Sequence, residues 1–121
     1  MSRPRIRTLK PECWQDEAIG KLGPWERLLF VGLITMADDE GRLRALPSAI
    51  AGHVFPYDDV PPAKVKKWLR AIEAVDLVVL YDHDGVRYAA ITGWSTHQKI
   101  NRKVDSRLPA PSSQTPEALT T

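Results

Sequence analysis

The chain has 121 residues, 43% of them hydrophobic and 26% charged, with a formal charge of +2. That length suits one domain of ordinary globular composition and excludes a collagen-like or wholly disordered chain. No apolar run approaches the roughly 20 residues needed to cross a bilayer, and the single cysteine, Cys13, can neither close an intramolecular disulfide nor build a zinc site alone. The start, Met-Ser-Arg-Pro-Arg-Ile-Arg, has charge but no apolar segment behind it, unlike a signal peptide. A cytoplasmic protein with no membrane association is expected.

The small net charge conceals segregation. Residues 1–10 carry +4 through Arg3, Arg5, Arg7 and Lys10; residues 11–59 carry −5, 60–75 carry +3, 76–93 carry −2 and 94–121 carry +2. Basic blocks separated by acidic ones can gather on one face, as in nucleic-acid binders, and they also occur on ordinary solvated surfaces.

In chain order, residues 16–22 form a short amphipathic segment. A strong helix signal follows Gly23-Pro24, because proline suits a helix's first turn, where its missing N–H has no partner to lose. Residues 25–37 are apolar nearly all round, with only Glu26, Arg27 and Thr35 polar, so this helix is expected to be buried on more than one side. Asp38-Asp39-Glu40-Gly41 ends it, with Gly41 suited to a positive φ. Arg42, Leu43 and Arg44 make a short strand. Pro47 and Ser48 open a second helix that reaches about Val54, and Phe55-Pro56 breaks it. A third helix starts at Pro61-Pro62 and runs to about Val75. Its apolar positions, Val65, Trp68, Leu69, Ile72 and Val75, follow the one-face helical spacing. Residues 77–81 and 86–91 are β-like runs joined by the four residues Asp82-His83-Asp84-Gly85, which reads as a hairpin.

This is the order of a winged helix-turn-helix: an α+β, mainly helical fold with a three-helix core, a β-hairpin wing, and extra N- and C-terminal segments. The expected organisation is a basic arm over residues 1–10, the domain over 11–107, and a flexible Pro/Ser/Thr-rich tail over 108–121. In DNA-binding versions the third helix enters the major groove. At roughly 100° per residue, Lys66, Lys67, Arg70, Ala63 and Ala74 lie opposite the apolar stripe, with Lys64 at its margin and Glu73 at its edge. Long cations beside small residues suit a groove, since the cations reach phosphates and base edges while alanines permit close approach. The plainer reading is a solvated face.

At the wing, Arg87 can meet phosphate, whereas Asp82 and Asp84 repel it. Arg3, Arg5 and Arg7 suit either a minor-groove arm or an ordinary charged tail. Residues 93–103, with Lys99, Arg102 and Lys103, read either as a C-terminal turn locked on the core with His97 satisfied inside, or as a DNA-contacting extension.

The segments Arg5-Ile6-Arg7-Thr8-Leu9-Lys10-Pro11-Glu12, Leu28-Leu29-Phe30-Val31-Gly32-Leu33 and Ala37-Asp38-Asp39-Glu40-Gly41-Arg42-Leu43-Arg44 are distinctive together. So are Phe55-Pro56-Tyr57-Asp58-Asp59 and the closing Trp94…His97-Gln98-Lys99-Ile100-Asn101-Arg102…Ser106-Arg107-Leu108-Pro109. Over about residues 3–110 the chain resembles the N-terminal winged-helix domain of bacteriophage replisome organisers and related small phage helix-turn-helix proteins. The resemblance implies DNA binding, often at a replication origin, in the cytoplasm of a host bacterium. In replisome organisers a C-terminal region recruits replication proteins such as a helicase or its loader; this chain departs from that pattern in its proline-rich end.

The expected function is therefore recognition of double-stranded DNA in replication initiation. Lys66, Lys67 and Arg70 would be the central contacts, and Lys64, Arg3, Arg5, Arg7, Arg87, Lys99, Arg102 and Lys103 would supply phosphate contacts. The alternatives are a phage transcriptional regulator, or an adaptor that binds a host replication or transcription protein or a second copy of itself; exposure of Phe30, Ile34 or Trp14 would favour the adaptor. RNA binding ranks third, since no aromatic platform is evident. No enzyme, cofactor or metal site is expected. Asp38, Asp39 and Glu40 point in different directions at a helix C-terminus, where anions fare poorly, and His53, His83 and His97 have no ligand spacing.

Overall fold

The computed structural model describes residues 5–98, 100 and 102–111. After a 3-10 turn over Pro11–Gln15 come α1 (Glu17–Gly20), α2 (Pro24–Met36), β1 (Arg42–Arg44), α3 (Pro47–Val54), α4 (Pro62–Ala74), β2 (Val78–His83), β3 (Val86–Ile91) and α5 (Trp94–His97). The protein is a small α+β fold: five helices and a three-stranded antiparallel sheet of order β1-β3-β2 among the described residues. No helix among them is long and apolar enough to cross a membrane.

Proline opens α2, α3 and α4 at the first turn, where the pyrrolidine ring is preset for the helix. Glu26 reaches back to the Gly23 N–H (2.8 Å) and completes the start of α2. The C-terminus of α4 is closed by Asp76, whose φ of 62° turns the chain so that the Leu77 N–H bonds the Ile72 carbonyl and the Asp76 N–H the Glu73 carbonyl. The apolar stripe of α4 is buried as its spacing requires: Val65, Leu69 and Ile72 join Leu29 and Leu33 of α2, Ile50 of α3 and Val78 of β2 in the core. Where α2 meets α3, a Cβ at Gly32 would lie 2.5 Å from a Val54 methyl, so the glycine sets how closely the two helices approach.

The hairpin turn is tighter than the four residues expected. The ladder continues through Asp82↔Arg87 and His83↔Val86, leaving Asp84 and Gly85 as the two turn residues at φ 52° and 78°. Both central residues of such a turn need positive φ, which aspartate and glycine tolerate, and its twist matches that of the strands.

α2 buries Leu29, Phe30, Leu33 and Ile34, while Leu28 is 51% and Trp25 47% exposed. Two further expectations are corrected. Residues 5–10 are fastened to the body rather than extending as an arm, through the contacts described below. Residues 108–111 pack as well, since Arg42 donates to the Leu108 carbonyl (3.0 Å) and the Tyr81 hydroxyl to that of Pro109 (2.7 Å). Proline lacks an N–H but keeps its carbonyl, and here that carbonyl serves a tyrosine on the sheet face away from the helices, where Tyr81 and Tyr88 stack at 5.6 Å. Burial pushes the Tyr81 hydroxyl up to about 12, with Asp38 and Tyr88 adding to it against Arg42.

Candidate nucleic-acid interface

Lys64, Lys66, Lys67 and Arg70 are all exposed on α4, with the small residues Ala63 and Ala74 exposed beside them. The one carboxylate of this helix points elsewhere. Glu73 accepts the Leu80 N–H (2.9 Å), a donor on the outer edge of β2, and so closes a sheet edge, while its charge also acts on Arg87 of the hairpin.

Lys66 and Arg70 line a groove of about 250 Å³ whose other wall is the hairpin (Leu80, Asp82, Gly85 and Arg87) and whose floor includes Ala45 and Pro47 at the entry to α3. Arg87 is therefore brought to the α4 cations. It is held by a two-point contact with Asp82, Nε–Oδ1 2.6 Å and Nη2–Oδ2 3.3 Å, which raises its already high pKa. Both partners remain largely exposed, so this pair orients the guanidinium and adds little stability.

The remaining cations are elsewhere. Arg5 and Arg7 both bind Asp39 (2.7 and 3.0 Å), and Arg7 also donates to the Ala37 carbonyl (2.8 Å). The Arg7 guanidinium lies 5.0 Å from the centroid of the Trp94 ring, and its side chain is only 6% exposed. An arginine buried this way holds the fold and is not presented to a groove, which corrects its reading as part of an arm. Lys103 lies 3.7 Å from Glu40, and Arg102 is exposed with a φ of 56°. Arg3 and Lys99 lie outside the described residues.

Sequence reasoning missed the role of the acidic turn. Asp38 accepts the N–H groups of Glu40 and Arg42 and the Ser106 hydroxyl, Asp39 accepts the Val104 N–H (3.0 Å), and Glu40 accepts the Ser106 N–H (2.9 Å). The Trp94 indole donates to the Asp39 carbonyl (2.8 Å), and its ring packs where a Cβ at Gly41 would collide. Three adjacent carboxylates thus gather the chain segments before α1 and after α5. Burial pushes the Asp39 carboxyl up, but the Val104 N–H, the Arg7 bond and the charges of Arg5 and Arg7 outweigh it and leave the pKa lowered. Glu40 is lowered too, chiefly by the Ser106 N–H, with Arg42 and Lys103 assisting against burial. The signal was present in the segment charges, where a −5 block stands between +4 and +2 ends.

Residues 93–98 lock onto the core through Trp94, but His97 is exposed and Gln98 is the buried polar residue. The Gln98 amide accepts the Thr8 N–H (2.9 Å) and donates to the Thr8 carbonyl (2.8 Å). Phe30 and Ile34 are buried, whereas Trp14 is 58% exposed. Compared with protein-family models, curated proteins and solved structures, the chain matches none.

Proposed function

We propose that the protein binds double-stranded DNA as a winged helix-turn-helix, with α4 in the major groove and the β2–β3 hairpin as the wing. The observation that carries this reading is the exposed cation face of α4, continued across a groove by Arg87 of the hairpin. A helix of 13 residues is about 20 Å long, and a major groove admits such a helix. The sheet order and the three helices α2, α3 and α4 are compatible with a winged helix. Lys66, Lys67 and Arg70 are the central contacts, with Lys64 and Arg87 on phosphates. Arg7 is left out, because it is buried against Asp39 and Trp94. The resemblance to phage replisome organisers supports origin binding in replication initiation; control of transcription is the other DNA-bound role.

Fluorescence anisotropy on random and phage-origin duplexes at several salt concentrations tests this. If all five cations of α4 and the hairpin neutralise phosphates, the log–log salt slope is about −4 to −5, and it is about −2 if only Lys64 and Arg87 do. Arg70→Ala should weaken binding by about 1–3 kcal/mol if it reads a base, whereas Arg5→Ala should leave the slope unchanged. No binding at about 50 mM salt, or an affinity indifferent to both Lys66→Ala and Arg70→Ala, overturns the proposal.

A second reading rests on exposed apolar side chains. Trp25, Leu28 and Trp14 are each about half exposed, and Tyr57 almost fully, which favours an adaptor surface for a protein partner or a second copy. Light scattering separates monomer from dimer.

A further inference from the structure

Beneath residues 8–16 lies a cavity of about 280 Å³, mostly apolar, walled by Ile19 of α1, Phe30 and Ile34 of α2, Ile91 of β3 and Trp94 of α5. Its roof cannot settle onto the floor. Thr8 is gripped through both main-chain groups by Gln98, Arg7 is anchored on Asp39 and Ala37, and Asp16 is fixed by capping α1 through the N–H groups of Ala18 and Ile19. The Trp94 wall is held by its bond to the Asp39 carbonyl. The cavity is preformed, so an occupant meets little cost of ordering.

We infer that this cavity is a binding site for a small, uncharged, mainly apolar molecule of about the size of a two-ring aromatic. The size follows from volume: an apolar cavity of about 150 Å³ takes benzene, and this one is nearly twice as large. The neutrality follows from the rim. Lys10 stands there with Glu12 and Asp16, one cation against two carboxylates, and Lys10 Nζ already faces the Thr96 carbonyl at 3.5 Å. A charged head of either sign that enters with the ring leaves water for an apolar chamber with no buried counter-charge on its walls, and at the rim an anion also meets the two carboxylates. Thr92 and His97 at the rim offer hydrogen bonds to a hydroxyl or ring N–H. Cys13, the only cysteine, lies half-buried on the wall and serves as a reporter.

The test uses the full chain with 2-naphthol and two charged analogues of the same ring, 2-naphthoate and naphthylmethylammonium. Binding is followed by the Trp94 indole N–H resonance and by the rate at which a thiol reagent modifies Cys13. The expected result is saturable movement of that resonance by 2-naphthol, labelling slowed about fivefold or more at saturation, and the two charged analogues bound at least about tenfold more weakly. Cys13→Phe fills the chamber and should abolish the 2-naphthol shift; Thr92→Trp, at an exposed rim position, closes the mouth and decides the matter should the first variant not fold. Naphthol that leaves both reporters unmoved, analogues that bind equally well, or a folded variant that still binds overturns the inference. None of these outcomes bears on DNA binding, which is read separately.

Discussion

Replacing Asp39 with alanine removes one carboxylate and leaves three donors without their acceptor: the guanidinium groups of Arg5 and Arg7 and the Val104 N–H. The losses are unequal. Arg5 is one-third exposed and can turn to water, so its share is below about 1 kcal/mol. Arg7 is 6% exposed and its Nε already has no hydrogen-bond partner among the described residues, so it becomes a buried cation held only by the Ala37 carbonyl and the Trp94 face. Breaking a buried ion pair from one side costs about 3–5 kcal/mol; with Ala37 and Trp94 retained, the lower part of that range, about 3–4 kcal/mol, is expected. For a domain of this size that corresponds to a fall in Tm of about 10–15 °C. Urea unfolding followed by circular dichroism measures it. The pH dependence gives a second check. The folded pKa of Asp39 is lowered, so its stabilisation is complete above the unfolded value of about 3.9 and is lost as pH falls through the lower folded value. The acid limb of the wild-type stability curve should therefore be shallower in Asp39→Ala, with Glu40 supplying what remains. A loss under about 1 kcal/mol, or an unchanged acid limb, would refute the buried-cation argument.

Gly32→Ala should destabilise by about 1 kcal/mol net, because overpacking against Val54 costs about 1–3 kcal/mol while alanine returns nearly 1 in helix propensity. Adding Val54→Ala should recover part of that loss as a favourable coupling in a double-mutant cycle. Tyr81→Phe should cost about 1 kcal/mol by deleting the bond to the Pro109 carbonyl. Because the Tyr81 pKa is raised to about 12, its contribution is complete below the unfolded value near 10 and disappears as pH rises towards 12; the variant should lack that alkaline limb, and the late phase of the wild type's ultraviolet titration should vanish with it.

What could be read in advance was what depends on short-range pattern. The spacing of Val65, Leu69 and Ile72 fixed the buried face of α4 and, by exclusion, its cation face. Pro24, Pro47 and Pro62 marked three helix starts within a residue. The hairpin was legible, and Asp84-Gly85 was itself the local signal for a two-residue turn with positive φ; the four-residue reading passed over it, and the ladder runs through His83. Long-range polar contacts leave no periodic trace. Arg7 reaching Asp39 and Gln98 reaching Thr8 are pairings of single residues separated by 32 and 90 positions. Arginines near the start and prolines near the end accordingly suggested free extensions, although a buried carboxylate and a tyrosine hydroxyl had places for them. The cavity under residues 8–16 was invisible for a further reason: a void depends on how several elements stop short of one another, and no one segment encodes that.

The turn at residues 38–40 has a consequence for how the molecule opens. Val104 and Ser106 on one side and Arg7 on the other share adjacent carboxylates as acceptors, so neither flank can detach without unbalancing the charges that keep the other. Fraying, usually independent at the two ends of a chain, becomes a single coupled event here. In native-state hydrogen exchange the Thr8, Val104 and Ser106 amides would report one shared opening, though they lie almost a full chain length apart.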